Sequence, residues 1–262
     1  MKPSESAYNI INKYCLTSPS ELNLVEILYA ENLKLKEEPL NNCEGKIIFD
    51  EEMGIITLNS LIIDERQRRF TLAHEMGHFF NERESLKFYN KFLRQKYTCG
   101  FEEFYGKNRK YSREAEANEF AAEILMYKPW YQDFVKNKPI NFELMKEAAE
   151  YFNVSLTAAV LRYVFIGQYP IALILSRDGK VVWSAVNEYF PYKFIPKDYK
   201  VSEKSGAYEY FIGKEVQTCV DVVPVYAWFS RDYNCVSDKY LYEQNFVMYN
   251  YKCVLTMLWE YG

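Results

Sequence analysis

Both histidines of the chain fall in one short run, His74-Glu75-Met76-Gly77-His78. The pattern is HExxH. On a helix, residues four apart stand one above the other, so both imidazoles can reach a single ion. Zinc takes nitrogen and carboxylate ligands in tetrahedral geometry, and a catalytic site keeps one position open for water. Glu75 is placed to accept a proton from that water, while the ion lowers the water's pKa to about 7 and polarises a scissile carbonyl. Gly77 admits a neighbouring segment close to the helix. Two ordinary histidines on a half-exposed helix face are the bland reading; a second acidic helix downstream argues against it.

A third ligand cannot be histidine, because none remains. A carboxylate is the natural replacement, and residues 113–122 offer Glu114, Glu116 and Glu119. Glu114 and Asn118 share one helix face, so Glu114 could bind metal while Asn118 hydrogen-bonds and orients a ligand histidine. Glu116 lies about 200° around the helix from Glu114, so the two cannot both face the ion. Glu114 is the favoured ligand and Glu116 the alternative. Either could instead be a solvated helix carboxylate. The developing oxyanion of a hydrolysis also needs a donor, for which Tyr111 and Arg113 are candidates.

These side chains need two helices brought together. Asp64 with Gln67 makes a capping-box-like start to a helix over residues 64–80, with Phe70, Ala73, Gly77 and Phe80 as its apolar positions. An Ala- and Glu-rich stretch predicts a second helix over 112–126. Earlier helices are expected at 4–14 and 20–30, and short strands at 32–36, 45–49 and 54–59. A loop-like stretch fills 81–110, and a helix pair is expected at 141–152 and 155–165. After Gly167 the texture turns to strands: 170–176 and 180–186 flank a hairpin signal at Arg177-Asp178-Gly179. Further β-rich runs cover 216–229, 240–249 and 252–259. The fold class is α+β, with residues 1–168 forming a metal-binding domain and 169–262 a β-rich domain.

The run 68–79 containing the HExxH, followed by Glu114-Ala115-Glu116-Ala117-Asn118-Glu119-Phe120-Ala121-Ala122 and on to Met126, resembles the ImmA/IrrE metallo-endopeptidase family. The resemblance is strong over 43–129 and includes Glu44-Gly45 ahead of the helix. It extends weakly to the β-rich part through Ser176-Arg177-Asp178-Gly179-Lys180-Val181 and Val254-Leu255-Thr256-Met257-Leu258-Trp259. It implies a zincin-like domain, one catalytic Zn2+ (or another divalent ion), His74, His78 and Glu114 as ligands and Glu75 as general base. It also implies a helix-turn-helix repressor as substrate, often encoded next door, in mobile elements or stress responses. Two departures bear on the cleft. The interval from His78 to Glu114 is long, and the usual Leu-Met-Pro ending reads Leu125-Met126-Tyr127-Lys128-Pro129.

Composition narrows the rest. The 262 residues carry 32 Lys+Arg against 36 Asp+Glu, a net charge of −4, which disfavours a dedicated nucleic-acid binder. The apolar fraction of 49% excludes a disordered chain. No apolar run reaches the roughly 18 residues that cross a bilayer, the first residues are polar, and the six scattered cysteines suggest a reduced, cytoplasmic protein. The basic, aromatic segment 83–113 reads as a solvated insertion that could rim the cleft. Residues 147–163 have a helix-turn-helix flavour, but with Arg162 as the single basic side chain of the second helix they read as core packing. The expectation is an endopeptidase acting on a repressor, with a non-cleaving zinc-dependent binding or sensor module as the alternative. No direct DNA contact and no membrane are expected.

Overall fold

The computed structural model describes residues 2–50, 52–86, 95–99, 113–236 and 238–261. It is a mixed α and β chain that divides into two compact units. The first comprises Met1–Asp133 and Ala149–Ser155; the second comprises Phe134–Ala148 and Leu156–Gly262.

In the first unit, helices α1 (Pro3–Lys13) and α2 (Leu24–Ala30) precede strands β1 (Leu33–Glu38), β2 (Gly45–Phe49) and β3 (Gly54–Asn59). Helix α3 (Glu65–Leu86), strand β4 (Gln95–Cys99) and helix α4 (Arg113–Leu125) follow. The sheet order is β1-β3-β2-β4, with β1 parallel to β3 and the other pairs antiparallel. Strand β2 alternates as a half-buried strand should, with Ile47 and Phe49 inside. Phe49 meets Phe79 of α3 edge to face, with ring centres 5.6 Å apart. Helix α4 lies against both α3 and α1 through Ala117, Phe120, Ala121 and Ile124, all fully buried.

Two differences from the sequence reading concern α3. Its cap is half of the expected box: the Gln67 amide donates to Asp64 Oδ1 at 3.0 Å, but the Gln67 side chain donates instead to Glu44 Oε1 at 2.7 Å. The helix also runs on to Leu86, beyond the expected end at residue 80. Tertiary contacts hold this last stretch: Arg83 donates to Glu31 Oε2 at 3.0 Å and lies over the rings of Phe79 and Phe80. Strand β4 likewise falls where a loop was expected, paired along β2.

Helices α5 (Lys128–Val135) and α6 (Phe142–Tyr151) cross the division between the units. The second unit continues with α7 (Leu156–Ile166), strands β5 (Ile171–Arg177) and β6 (Lys180–Val186), and α8 (Gly206–Phe211). It ends with β7 (Asp221–Pro224), α9 (Tyr226–Phe229), β8 (Tyr240–Met248) and β9 (Cys253–Glu260). The five strands form one antiparallel sheet in the order β6-β5-β9-β8-β7. The β5–β6 hairpin turns at Asp178 and Gly179, both with positive φ, as that turn requires. Helix α7 contacts β5 and β6, so it groups with the strands that follow the change of texture near residue 168. Arg162 on this helix is buried at 7% exposure, in keeping with core packing rather than base readout. The run expected as strand over 216–229 is instead β7 followed by the short α9, whose Trp228 and Phe229 are fully buried. Trp228 is anchored by Glu243, which accepts from Trp228 Nε1 at 2.6 Å, Ser205 Oγ at 2.9 Å, the Gly206 amide at 2.8 Å and Asn245 Nδ2 at 2.7 Å. Among the described residues no helix is long and apolar enough to cross a membrane.

Glu31 ties three parts of the first unit together, accepting from Lys13, Tyr14 and Arg83. Burial pushes its carboxyl up, but those three donors outweigh it and hold the group below its ordinary value of 4.5. A depressed folded pKa gives stability that is present above the unfolded value and is lost as pH falls through the folded one. Glu31→Gln should therefore cost about 1–3 kcal/mol near neutral pH. Its deficit should shrink as the pH drops below about 4.5. Thermal melts of both proteins across that range check this; a constant deficit would sink it.

Candidate metal centre

Helix α3 carries His74 and His78 toward α4, and Glu75 toward Gly45 of β2. His74 and His78 are each 1% exposed and Glu75 is fully buried. The close approach of the two helices depends on Gly77. A Cβ there would lie 3.0 Å from both Cα and O of Ala117 and 3.1 Å from Phe120 Cβ. The expectation that Gly77 admits a neighbouring segment is thus met by α4 itself.

That approach delivers Glu114 from the first turn of α4. His74 Nε2 stands 3.2 Å from His78 Nε2, 3.1 Å from Glu114 Oε2, and His78 Nε2 stands 3.5 Å from Glu114 Oε1. Ligands about 2.0–2.1 Å from a tetrahedral zinc are separated from one another by about 3.3 Å. The two imidazole nitrogens have that spacing, and each has one Glu114 oxygen near the same distance. Among the described residues, His74, His78 and Glu114 form a group able to hold a metal ion. The donor chemistry, two imidazoles and one carboxylate, fits zinc with a fourth position for water.

The surroundings set the tautomer of His74. His74 Nδ1 lies 2.8 Å from Asn118 Oδ1, so a proton on Nδ1 is donated to Asn118 and the Nε2 lone pair is left for the ion. Burial pulls the His74 pKa below its ordinary value. Burial also acts downward on His78, but hydrogen bonding to Glu114 and the nearby Glu82 carboxylate, with the charges of Glu114 and Glu75, raises it to about 9. Glu75 is pushed up to about 8, chiefly by burial, with His78 opposing and Glu114 reinforcing the shift. Neither Glu75 carboxylate oxygen has a hydrogen-bond partner among the described residues. A buried carboxylate without donors is costly, and a water or substrate group beside it would relieve that cost.

The remaining candidates separate. Glu116 is exposed on α4 and belongs to no metal-binding group among the described residues; its carbonyl accepts from Asn81 Nδ2 at 3.2 Å. Arg113 is exposed and pairs with Glu82 at 3.4 Å. Tyr111, and most of the basic, aromatic segment, lie outside the described residues. The sequence reading gave no role in the site to two contributors, Gly45 and Glu82. Gly45 has no room for a side chain, since a Cβ would lie 2.8 Å from Glu75 Oε1 and from Thr71 Cγ2. Glu82 sits four residues after His78, a spacing that could have pointed to it.

A family model described as the IrrE N-terminal-like peptidase domain matches residues 30–163. The chain belongs to the ImmA/IrrE peptidase family. The matched span holds the HExxH helix, the Glu114 helix and strands β1 to β4, so it frames the whole candidate site of this ImmA/IrrE protein. Among solved structures, its fold is similar to that of a Mycobacterium tuberculosis transcriptional regulator. The TM-score is 0.60 at 10% identity, over 98% of this chain and 75% of that one. At that identity the likeness speaks for the fold alone. No curated protein sequence matches the chain.

Two outcomes test the centre. Zinc at about 100 times its dissociation constant should stabilise the wild type by about 2.7 kcal/mol, read as a raised thermal midpoint, and should leave His74→Ala unmoved. Gly77→Ala should gain up to about 1 kcal/mol of helix propensity and lose about 1–3 kcal/mol to overpacking. It should be the less stable protein and the weaker zinc binder; equal zinc affinity would show that the α3–α4 spacing does not set the site.

Proposed function

We propose that this ImmA/IrrE protein is a zinc-dependent endopeptidase that cleaves a helix-turn-helix transcriptional repressor. The observation that carries the reading is the convergence of His74, His78 and Glu114 at zinc-ligand spacing beside a buried Glu75 carboxylate with no hydrogen-bond donor among the described residues. The ligands in this reading are His74, His78 and Glu114, in a zincin-like arrangement formed within residues 1–168. A bound zinc ion would supply Lewis acidity toward the scissile carbonyl and acidify the attacking water.

The chain's own residues do the rest. Glu75 accepts the water's proton on a carboxylate oxygen and returns it to the leaving amine. A divalent cation beside Glu75 would offset the burial that raises its pKa and favour the ionised carboxylate that the base role needs. Asn118 holds the His74 ring, and Gly45 keeps β2 close enough to fix the Glu75 side chain. Peptidase family membership supports hydrolysis. The β-rich part, residues 169–262, would dock the repressor or sense a signal, and the reaction would run in the cytoplasm.

The decisive comparison is wild type against Glu75→Gln, each incubated with zinc and the repressor encoded nearest to its gene, with fragments mapped by mass. Glu75→Gln should keep zinc and repressor binding while losing at least about 100-fold in cleavage rate. A wild type that binds zinc and repressor but behaves identically to Glu75→Gln in every assay would instead make the protein a non-cleaving binding or sensor module.

A further inference from the structure

When Nε2 of a neutral histidine binds metal, its proton sits on Nδ1 and needs an acceptor. His74 has Asn118 for this purpose, at 2.8 Å. His78 faces Glu82, whose Oε1 lies 3.8 Å from His78 Nδ1 in the next turn of α3. The Glu82 side chain is 12% exposed, so its charge is poorly solvated. Its other oxygen, Oε2, is 3.4 Å from Arg113 Nη1.

Arg113 is the first residue of α4 and the chain neighbour of Glu114. A cation at a helix N-terminus opposes the helix dipole, so its placement asks for a local anion. Glu82 supplies one. The connections then close a ring: His78 to Glu82, Glu82 to Arg113, Arg113 through one peptide bond to Glu114, and Glu114 back to His78 Nε2 at 3.5 Å. The loop links the second histidine to Glu114 through contacts separate from the His74–Asn118 pair.

We propose that Glu82 is a positioning residue of the metal centre. It orients His78 through Nδ1 and, through Arg113, seats the first turn of α4 so that Glu114 reaches the ion. The inference rests on the reading of His74, His78 and Glu114 as ligands. With Nε2 turned to an ion, the His78 proton would sit on Nδ1, the atom that faces Glu82 Oε1 at 3.8 Å. Arg113 neutralises the carboxylate and so keeps Glu82 an acceptor rather than a fourth ligand.

The test uses the full chain and the metal alone. Zn2+ affinity is measured by competition with a chromogenic chelator for wild type, Glu82→Ala, Glu82→Gln, Arg113→Ala and the double variant Glu82→Ala/Arg113→Ala. The visible spectrum of each Co2+-loaded protein reports ligand geometry. Glu82→Ala should bind zinc about 10–100-fold more weakly and show an altered cobalt spectrum. Glu82→Gln, which keeps an acceptor oxygen, should recover part of that loss. Arg113→Ala should weaken binding in the same direction. The double variant should be no worse than Glu82→Ala, because both changes break one chain of contacts. Circular dichroism of the metal-free proteins separates a folding defect, and if Glu82→Ala fails to fold, Glu82→Gln and Arg113→Ala carry the comparison. Unchanged zinc affinity and cobalt spectrum in the folded Glu82 variants would overturn the positioning role while leaving the ligand assignment standing. Failure of the wild type to bind either metal would overturn the ligand assignment itself, and this inference with it.

Discussion

The contact between Gly77 on α3 and Ala117 on α4 is the constraint from which the candidate site follows. With no side chain between them, the two helix backbones pack so closely that even a methyl group would meet Ala117 at 3.0 Å. Two of the candidate ligands sit on one helix and the third on the other, and neither helix alone brings all three together. Phe79, Phe80 and Phe120 surround the contact with fully packed rings, Phe80 and Phe120 stacked at 5.5 Å. Packing of this density has little tolerance for displacement, and a metal site needs that rigidity because ligand distances vary by only tenths of an ångström.

Burial then shapes the chemistry. His74, Glu75 and His78 lie in an interior where a charge is disfavoured unless a partner stands near it. The imidazoles find Glu114, Asn118 and Glu82; Glu75 finds no donor among the described residues, and its pKa rises to about 8. The asymmetry sorts the side chains into those that would hold an ion and one that would exchange a proton. Glu44 supports the same region from the sheet side, accepting from Gln67 and from Thr71 on α3. The sheet thereby presses Gly45 against Glu75, and the helix bearing the motif is held on two sides. In the second unit the same physics serves structure alone: Glu243 is fully buried yet meets four donors, and it gathers α8, α9 and β8 around one carboxylate.

Much of this was legible in the chain itself. The HExxH spacing on an uninterrupted apolar pattern named two metal-facing histidines, and the absence of a third histidine turned attention to a carboxylate. The i, i+4 relation of Glu114 and Asn118 separated them from Glu116, since helical geometry is local and periodic. Strands β2 and β3 and the Asp178-Gly179 turn were equally readable, because alternation and left-handed turn residues act over a few positions. What local rules could not supply was long-range pairing. The extension of α3 past residue 80 depends on Arg83 meeting Glu31, and the identity of β4 depends on β2. The diversion of Gln67 to Glu44 depends on a partner 23 residues away.

The sequence by itself therefore determined the candidate donor residues, the two helices that carry them and the family to which the chain belongs, because each is written in spacing along a single element. Only the tertiary structure decided that Glu114 is brought to 3.1 Å from His74, and that Gly45 abuts Glu75. It also set Glu82 and Arg113 as a pair behind His78. The reason is physical: these relations join elements far apart in the chain, and the distance between them is fixed by how closely two backbones and their side chains can pack.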